Sequence, residues 1–113
     1  MAYLPDLDTT LGRFFDAWNT EDADARWSLV HAAVSEDAVV LDAAEPRPVV
    51  GRAALASALD AMRRRAGGIA ADGPARVVHG EVCLPVQLGG APALFVGTVD
   101  GEGRLARVVL FAS

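Results

Sequence analysis

The stretch AWNTEDADARWSLVHAAVSEDAVVLD, residues 17–42, decides the fold of this chain. It begins with a helix end and a polar turn, after which Trp27, Val30 and Val34 recur at helical spacing. Its end, DAVVLD, is short and rich in β-branched and large apolar residues, which predicts a strand. That strand finishes on Asp42 although the following turn would supply polarity, so Asp42 is the first candidate functional residue.

Helical spacing also appears before and after this stretch. The apolar series of a first helix is formed by Leu7, Leu11, Phe14, Phe15 and Trp18. After the break AAEPRP, the run VVGR predicts a brief return strand. A third helix is predicted from about Arg52 and ends at RRR followed by Gly67 and Gly68, because cations suit the negative end of the helix dipole and glycine takes a left-handed cap.

From residue 76 onward the pattern changes to period two. Val77, His79, Glu81 and Cys83 share one face of a predicted strand. The run LPVQLGGAPALFVGTV predicts a strand, a GGAP turn and a second strand, and LARVVLFAS predicts the closing strand after the tight turn DGEGR. Helices therefore cluster early and strands late, which predicts an α+β fold with a mostly antiparallel sheet, in a single domain spanning 1–113.

Composition and charge disfavour several functional classes. The 113 residues are 52% hydrophobic and carry a net charge of −5, which favours a packed core and disfavours binding to nucleic acid or to an anionic membrane. All ten basic residues are arginines, which excludes a Schiff-base lysine and a P-loop lysine.

Location, metal and cofactor predictions follow from a few residues. The acidic start MAYLPDLDTT lacks the features of a signal peptide, and Cys83 is the single cysteine, so we expect a cytoplasmic protein. No apolar run approaches the roughly 20 residues of a membrane helix. His31, His79 and Cys83 lack the spacing of a metal site, so we expect neither a metal nor a cofactor.

Two long stretches carry a resemblance to a known family. FFDAWNTEDADARWSLVHAAVSEDAVVLDAAEPRPVVGRAAL resembles the leading half of SnoaL-like and ketosteroid-isomerase-like proteins of the NTF2-like superfamily, and GGAPALFVGTVDGEGRLARVVLF resembles their last hairpin. The chain is also similar to the SnoaL-like extension of some alternative sigma factors. The resemblance implies an NTF2-like cone, in which three helices of the N-terminal half pack on a curved, mostly antiparallel sheet around an apolar cavity.

The resemblance also implies candidate catalytic residues. Asp42 falls where the isomerases carry their proton-shuttling base, and burial in an apolar cleft makes a carboxylate a better base near neutrality, as the isomerase itself illustrates. Phe14 and Phe95 fall where the isomerases carry hydrogen-bond donors to the enolate, and neither can donate, which argues against steroid isomerisation. His79 matches a histidine of certain SnoaL-like dehydratases and cyclases, so Asp42 and His79 are the predicted acid–base pair.

Each of these assignments has an alternative that the sequence leaves open. The alternative for Asp42 is a turn residue at a strand end, and the alternative for His79 and Glu81 is a place on the solvent or dimer face. For Trp18 and Trp27 the alternative to a ligand contact is core packing.

The predicted core or cavity and the predicted partners complete the expectations. The core or cavity lining comprises Phe14, Phe15, Trp18, Trp27, Leu55, Leu59, Phe95, Val109 and Phe111. The predicted substrate-binding residues are Phe14, Trp18, Trp27, Phe95 and Arg47. We expect a homodimer through the outer sheet face. The predicted function is a small apolar-ligand pocket with acid–base catalysis of the isomerase, cyclase or dehydratase class, and the alternative is a non-catalytic ligand-binding or dimerisation module.

Overall fold

The computed structural model describes residues 6–42 and 45–112. Its helices are α1 (Leu7–Asn19), α2 (Ala23–Ala33) and α3 (Arg52–Ala66). Short acidic side chains begin the first two: Asp6 accepts the Thr9 N–H at 2.8 Å, and Asp22 accepts the Asp24 N–H at 3.0 Å. The third helix ends at Gly67, whose φ of 90° suits glycine.

Within residues 6–42 and 45–112, seven strands form one sheet. They are β1 (Val34–Asp42), β2 (Val49–Val50), β3 (Ile69–Ala71), β4 (Arg76–Val78), β5 (Glu81–Leu88), β6 (Ala91–Val99) and β7 (Leu105–Ala112). The order is β2-β1-β7-β6-β5-β3, and β4 pairs with β5 beside β3. Only the β1–β7 pairing is parallel among these strands, and register shifts in β1–β7 and β6–β7 bend the sheet. The predicted α+β architecture, with helices early and a mostly antiparallel sheet late, is confirmed.

The sheet register separates an inner face, covered by the helices, from an outer face. One inner row runs across the sheet through Val82, Gly97, Val108 and Val40, all of them buried. The next inner row runs through Leu84, Phe95, Leu110 and Asp42. Asp42 is therefore the polar end of an otherwise apolar inner row, because side chains alternate faces along a strand.

Several predicted element boundaries were wrong. Val34 begins β1 and does not extend the second helix. Residues 77–84 are not one strand, because His79 and Gly80 take positive φ values of 48° and 79° and turn the chain between β4 and β5. The short strand β3 was not predicted, since three residues carry no periodic signal of their own.

Three members of the predicted core lie elsewhere. Trp27 is 45% exposed, because the neighbouring Arg26 shares the buried face of α2 with Val30 and Ala33 and the indole does not. Phe111 is 55% exposed, and with Val109 it lies on the outer face of β7, since the buried Val108 and Leu110 take the inner positions. The remaining predicted core residues are buried: Phe14, Phe15, Trp18, Leu55, Leu59 and Phe95.

Candidate functional site

Asp42 lies where the end of β1 meets the end of α3. Its side chain is 12% exposed, and its Oδ2 accepts a hydrogen bond from Arg65 Nη2 at 3.2 Å. The second terminal nitrogen of Arg65 donates to Glu45 Oε1 at 2.8 Å. One guanidinium thus joins a strand-end carboxylate to a carboxylate of the following loop, and it compensates the charge of both.

A groove of about 310 Å³ adjoins this cluster. Its lining comprises Leu41, Asp42, Glu45, Pro46, Arg47, Pro48, Val109, Leu110 and Phe111. Leu41, Val109 and Phe111 belong to the outer face, whereas Asp42 and Leu110 belong to the inner face. The groove therefore borders both faces, because it lies at the ends of β1 and β7.

Aromatic rings fill the middle of the cone. Phe14, Trp18 and Phe95 are fully buried. The rings of Phe14 and Phe95 meet edge to face with their centroids 5.7 Å apart, and Phe15 meets Phe95 at 5.6 Å. Trp18 donates its indole N–H to the Gly67 carbonyl at 2.9 Å. These predicted ligand contacts are thus core contacts, and the two positions that lack enolate donors pack on each other.

His79 lies far from Asp42. It is an exposed residue of the β4–β5 turn, whereas Asp42 is level with Leu84 in the sheet. Three strands and five residues separate them in register, which corresponds to a distance on the order of 20 Å. The structure does not bring the predicted acid–base pair together.

The other two predicted binding residues also lie apart. Arg47 is exposed and lines the groove between Pro46 and Pro48. Trp27 lies on α2 against His31, with ring centroids 4.4 Å apart, and lines a different groove beside the start of α3. Of the predicted site residues, only Asp42 and Arg47 line the same groove.

Sequence reasoning missed the roles of Arg65 and Glu45. The run of arginines 63–65 is the helix terminus that the sequence predicts. Arg65 also contacts Asp42 at the end of β1. The local sequence gives no signal for this contact, because 23 residues separate Arg65 from Asp42. Only the packing of α3 along β1 brings them together.

The described part of the chain offers neither a metal centre nor a membrane-spanning helix. Within residues 6–42 and 45–112, no three His, Cys, Asp or Glu side chains lie close enough together to hold a metal ion. No helix in these same ranges is long and apolar enough to cross a membrane.

Comparison with solved structures identifies the fold. No protein-family model and no curated protein matches the sequence. A candidate isomerase of the SnoaL-like family from Agrobacterium tumefaciens superposes with a TM-score of 0.81 at 23% identity, over 93% of this chain and 95% of that one. A candidate SnoaL-like polyketide cyclase from Jannaschia gives a TM-score of 0.73 at 12% identity, over 95% and 85%. An NTF-2-like protein from Burkholderia xenovorans gives 0.69 at 14% identity, over 95% and 82%. The chain therefore has the fold of the SnoaL-like proteins of the NTF2-like superfamily.

Proposed function

We propose that the groove at the ends of β1 and β7 binds a small apolar compound that bears a carbonyl group, and that Asp42 is the base that removes a proton next to that carbonyl. The observation that carries the proposal is the meeting of Asp42 with apolar side chains and a second cation, Arg47, in one groove. Its volume of about 310 Å³ lies at the lower end of the range for small-molecule sites. The ligand is accordingly small.

We place the protein in the cytoplasm, where Cys83 stays a free thiol.

Each polar residue has a role in this reaction. The Asp42 carboxylate takes the proton, the C–H electron pair moves into a new carbon–carbon double bond, and the carbonyl oxygen becomes the enolate oxygen. Arg65 holds the carboxylate in position through its hydrogen bond of 3.2 Å to Asp42 Oδ2. Arg47, which lines the groove, supplies the electrostatic stabilisation that Phe14 and Phe95 cannot give.

Deuterium uptake by a simple ketone tests this proposal. The bicyclic ketone 2-tetralone is incubated with the protein in D₂O, and loss of its α-proton signals is followed by ¹H NMR. We expect uptake faster than in buffer, and about 100-fold slower catalysis in Asp42→Asn, since a general base contributes about 10²–10⁴. His79→Asn is the matched control and should leave the rate unchanged. Equal rates for wild type and Asp42→Asn would refute the role of Asp42.

The outer sheet face favours a second candidate function, dimerisation. Large apolar side chains are exposed on it, including Leu94, Phe111, Val50 and Val78. Glu81, Thr98 and Arg107 form one row across β5, β6 and β7. If a two-fold axis runs along β6 between two stacked sheets, Glu81 of each copy faces Arg107 of the other. This self-complementary charge pattern supports a homodimer through the outer face.

A charge exchange tests the dimer. Glu81→Arg and Arg107→Glu each place like charges opposite one another, so each single variant should sediment as a monomer where the wild type is a dimer. The double variant Glu81→Arg/Arg107→Glu restores opposite charges and should restore the dimer. Sedimentation velocity measures all four proteins. This arrangement would be excluded by a monomeric wild type, or by a double variant that dimerises no more strongly than the single variants.

A further inference from the structure

The groove beside Asp42 is open toward the outer sheet face. Its floor includes Leu41, Val109 and Phe111, all three on that face, and Phe111 keeps 55% of its surface exposed. The loop residues 45–48 line the side of the groove that faces away from the sheet. A small apolar ligand lying on this floor would keep one flank in water, which limits the apolar area that binding removes from solvent.

The exposed apolar surface continues from the groove across the outer face. Phe111 pairs with Leu94 on β6, and Leu94 pairs with Pro85 on β5, so the three form one row. Leu94 is 38% exposed and Pro85 is exposed as well. The surface that would contact a second copy is therefore continuous with the floor of the groove.

We propose that a second copy of the chain completes this groove, so that ligand binding and dimerisation stabilise each other. The inference rests on the proposed ligand site. With the two-fold axis along β6, Pro85 of the second copy lies opposite Phe111, and the second sheet covers the open flank at the ends of β1 and β7. Each dimer then has two equivalent ligand sites, each closed by the other copy.

Thermodynamic linkage turns this geometry into a measurable effect. If each of the two sites binds the ligand more tightly in the dimer than in the monomer, the ligand must strengthen dimerisation by that factor once for each site. Coupling between sites commonly amounts to about 5- to 150-fold. We expect about ten-fold tighter binding at each site, so saturating 2-tetralone should lower the dimer dissociation constant by about 100-fold.

A dimer-breaking variant remote from the groove provides the decisive experiment. Glu81 does not line the groove, so Glu81→Arg changes ligand binding only through dimerisation. The dissociation constant of 2-tetralone is measured from the amide shifts of Glu45, Arg47 and residues 109–111, in wild type, Glu81→Arg and Glu81→Arg/Arg107→Glu. Val77→Arg is the control for an added charge. Val77 is exposed on the edge strand β4, and it pairs with Val82 of β5, so it belongs to the inner face and not to the outer face.

The possible results are distinct. The inference predicts that monomeric Glu81→Arg binds 2-tetralone about ten-fold more weakly, that the double variant recovers both dimerisation and affinity, and that Val77→Arg matches wild type. Monomeric Glu81→Arg with wild-type affinity would overturn the linkage and leave the proposed ligand site intact. A wild type that is monomeric, or whose dimerisation 2-tetralone does not change, would also overturn it. Absence of binding in all four proteins would instead refute the proposed function.

Discussion

A single buried arginine shows how much one residue contributes to this fold. Arg26 is 4% exposed, and its Nε donates to the Ala17 carbonyl at 3.1 Å while a terminal nitrogen donates to the Thr20 carbonyl. Its guanidinium also lies 3.4 Å from Asp60 of α3. The carbonyls at the end of a helix lack intrahelical partners, so Arg26 satisfies the end of α1 and joins it to α3.

Replacing Arg26 should therefore destabilise the protein strongly. Arg26→Met keeps the apolar stem but leaves the carbonyls of Ala17 and Thr20 without their donor, and we expect the free energy of unfolding to fall by about 3 kcal/mol. Arg26→Lys keeps the charge but lacks the planar guanidinium, so its free energy of unfolding should lie between those of wild type and Arg26→Met. Urea denaturation measures all three proteins, and a methionine variant as stable as wild type would contradict this role.

Asp60 gives the stability a pH dependence on the acid side. A hydrogen bond from Arg63 lowers the pKa of Asp60, the charges of Arg64 and Arg26 lower it further, and desolvation opposes them. A carboxyl whose pKa is lower in the folded state than in the unfolded state stabilises the fold at pH values above its unfolded-state pKa. This stabilisation disappears as the pH falls through its folded-state pKa. As the pH drops below about 4, we expect the free energy of unfolding to decrease. The decrease should be less steep in Asp60→Asn. An identical acid profile in both proteins would contradict this.

At the scale of elements, two glycines of one turn have different constraints. Gly89 and Gly90 join β5 to β6 with positive φ values of 57° and 85°. A Cβ on Gly89 would lie 2.2 Å from the Ala66 carbonyl oxygen and one on Gly67 would lie 2.7 Å from Gly89 Cα, whereas a Cβ on Gly90 would meet nothing within 4 Å. The end of α3 thus packs directly on the backbone of the hairpin turn.

This contrast predicts unequal effects of the same substitution. Gly90→Ala adds only backbone strain, about 1 kcal/mol, whereas Gly89→Ala adds strain and a clash with backbone atoms, about 2–4 kcal/mol in all. Chemical denaturation of both variants checks the difference. Equal losses of stability would show that the close approach of α3 and the turn does not matter.

The elements differ in how far the sequence predicts them. The start of α1 and the end of α3 are predictable because the acidic cap Asp6, the arginine run and Gly67 act locally. The β4–β5 turn is not, because His79 adopts a left-handed backbone that its residue type does not require. For the site, the strand-end position of Asp42 is predictable, but its partner Arg65 depends on tertiary packing.

At the scale of the whole molecule, the cone interior is a packed core. Phe95 sits in the middle strand of this core and contacts Phe14 and Phe15. Phe95 is fully buried, whereas Phe111 is largely exposed on the adjacent strand. Truncating each of these two phenylalanines to alanine therefore compares the inner and the outer face of one sheet.

Phe95→Ala should lower the free energy of unfolding by about 3–5 kcal/mol, since it removes buried area and leaves a cavity. Phe111→Ala should lower it by less than about 1 kcal/mol in dilute protein, where dimerisation does not contribute. Urea denaturation at low concentration compares them. Similar losses for the two variants would mean that the interior is loosely packed and open to ligands.

The location of ligand binding tests the central claim most directly. In a titration of ¹⁵N-labelled wild-type protein with 2-tetralone, followed by two-dimensional ¹H–¹⁵N NMR, a bound ligand shifts the amides that surround it. The proposed site predicts shifts at the amides of Leu41, Asp42, Glu45, Arg47 and residues 109–111, where the groove lies. Shifts confined to the amides around Phe14 and Phe95, or to the groove beside Trp27, would place the ligand elsewhere and contradict the account.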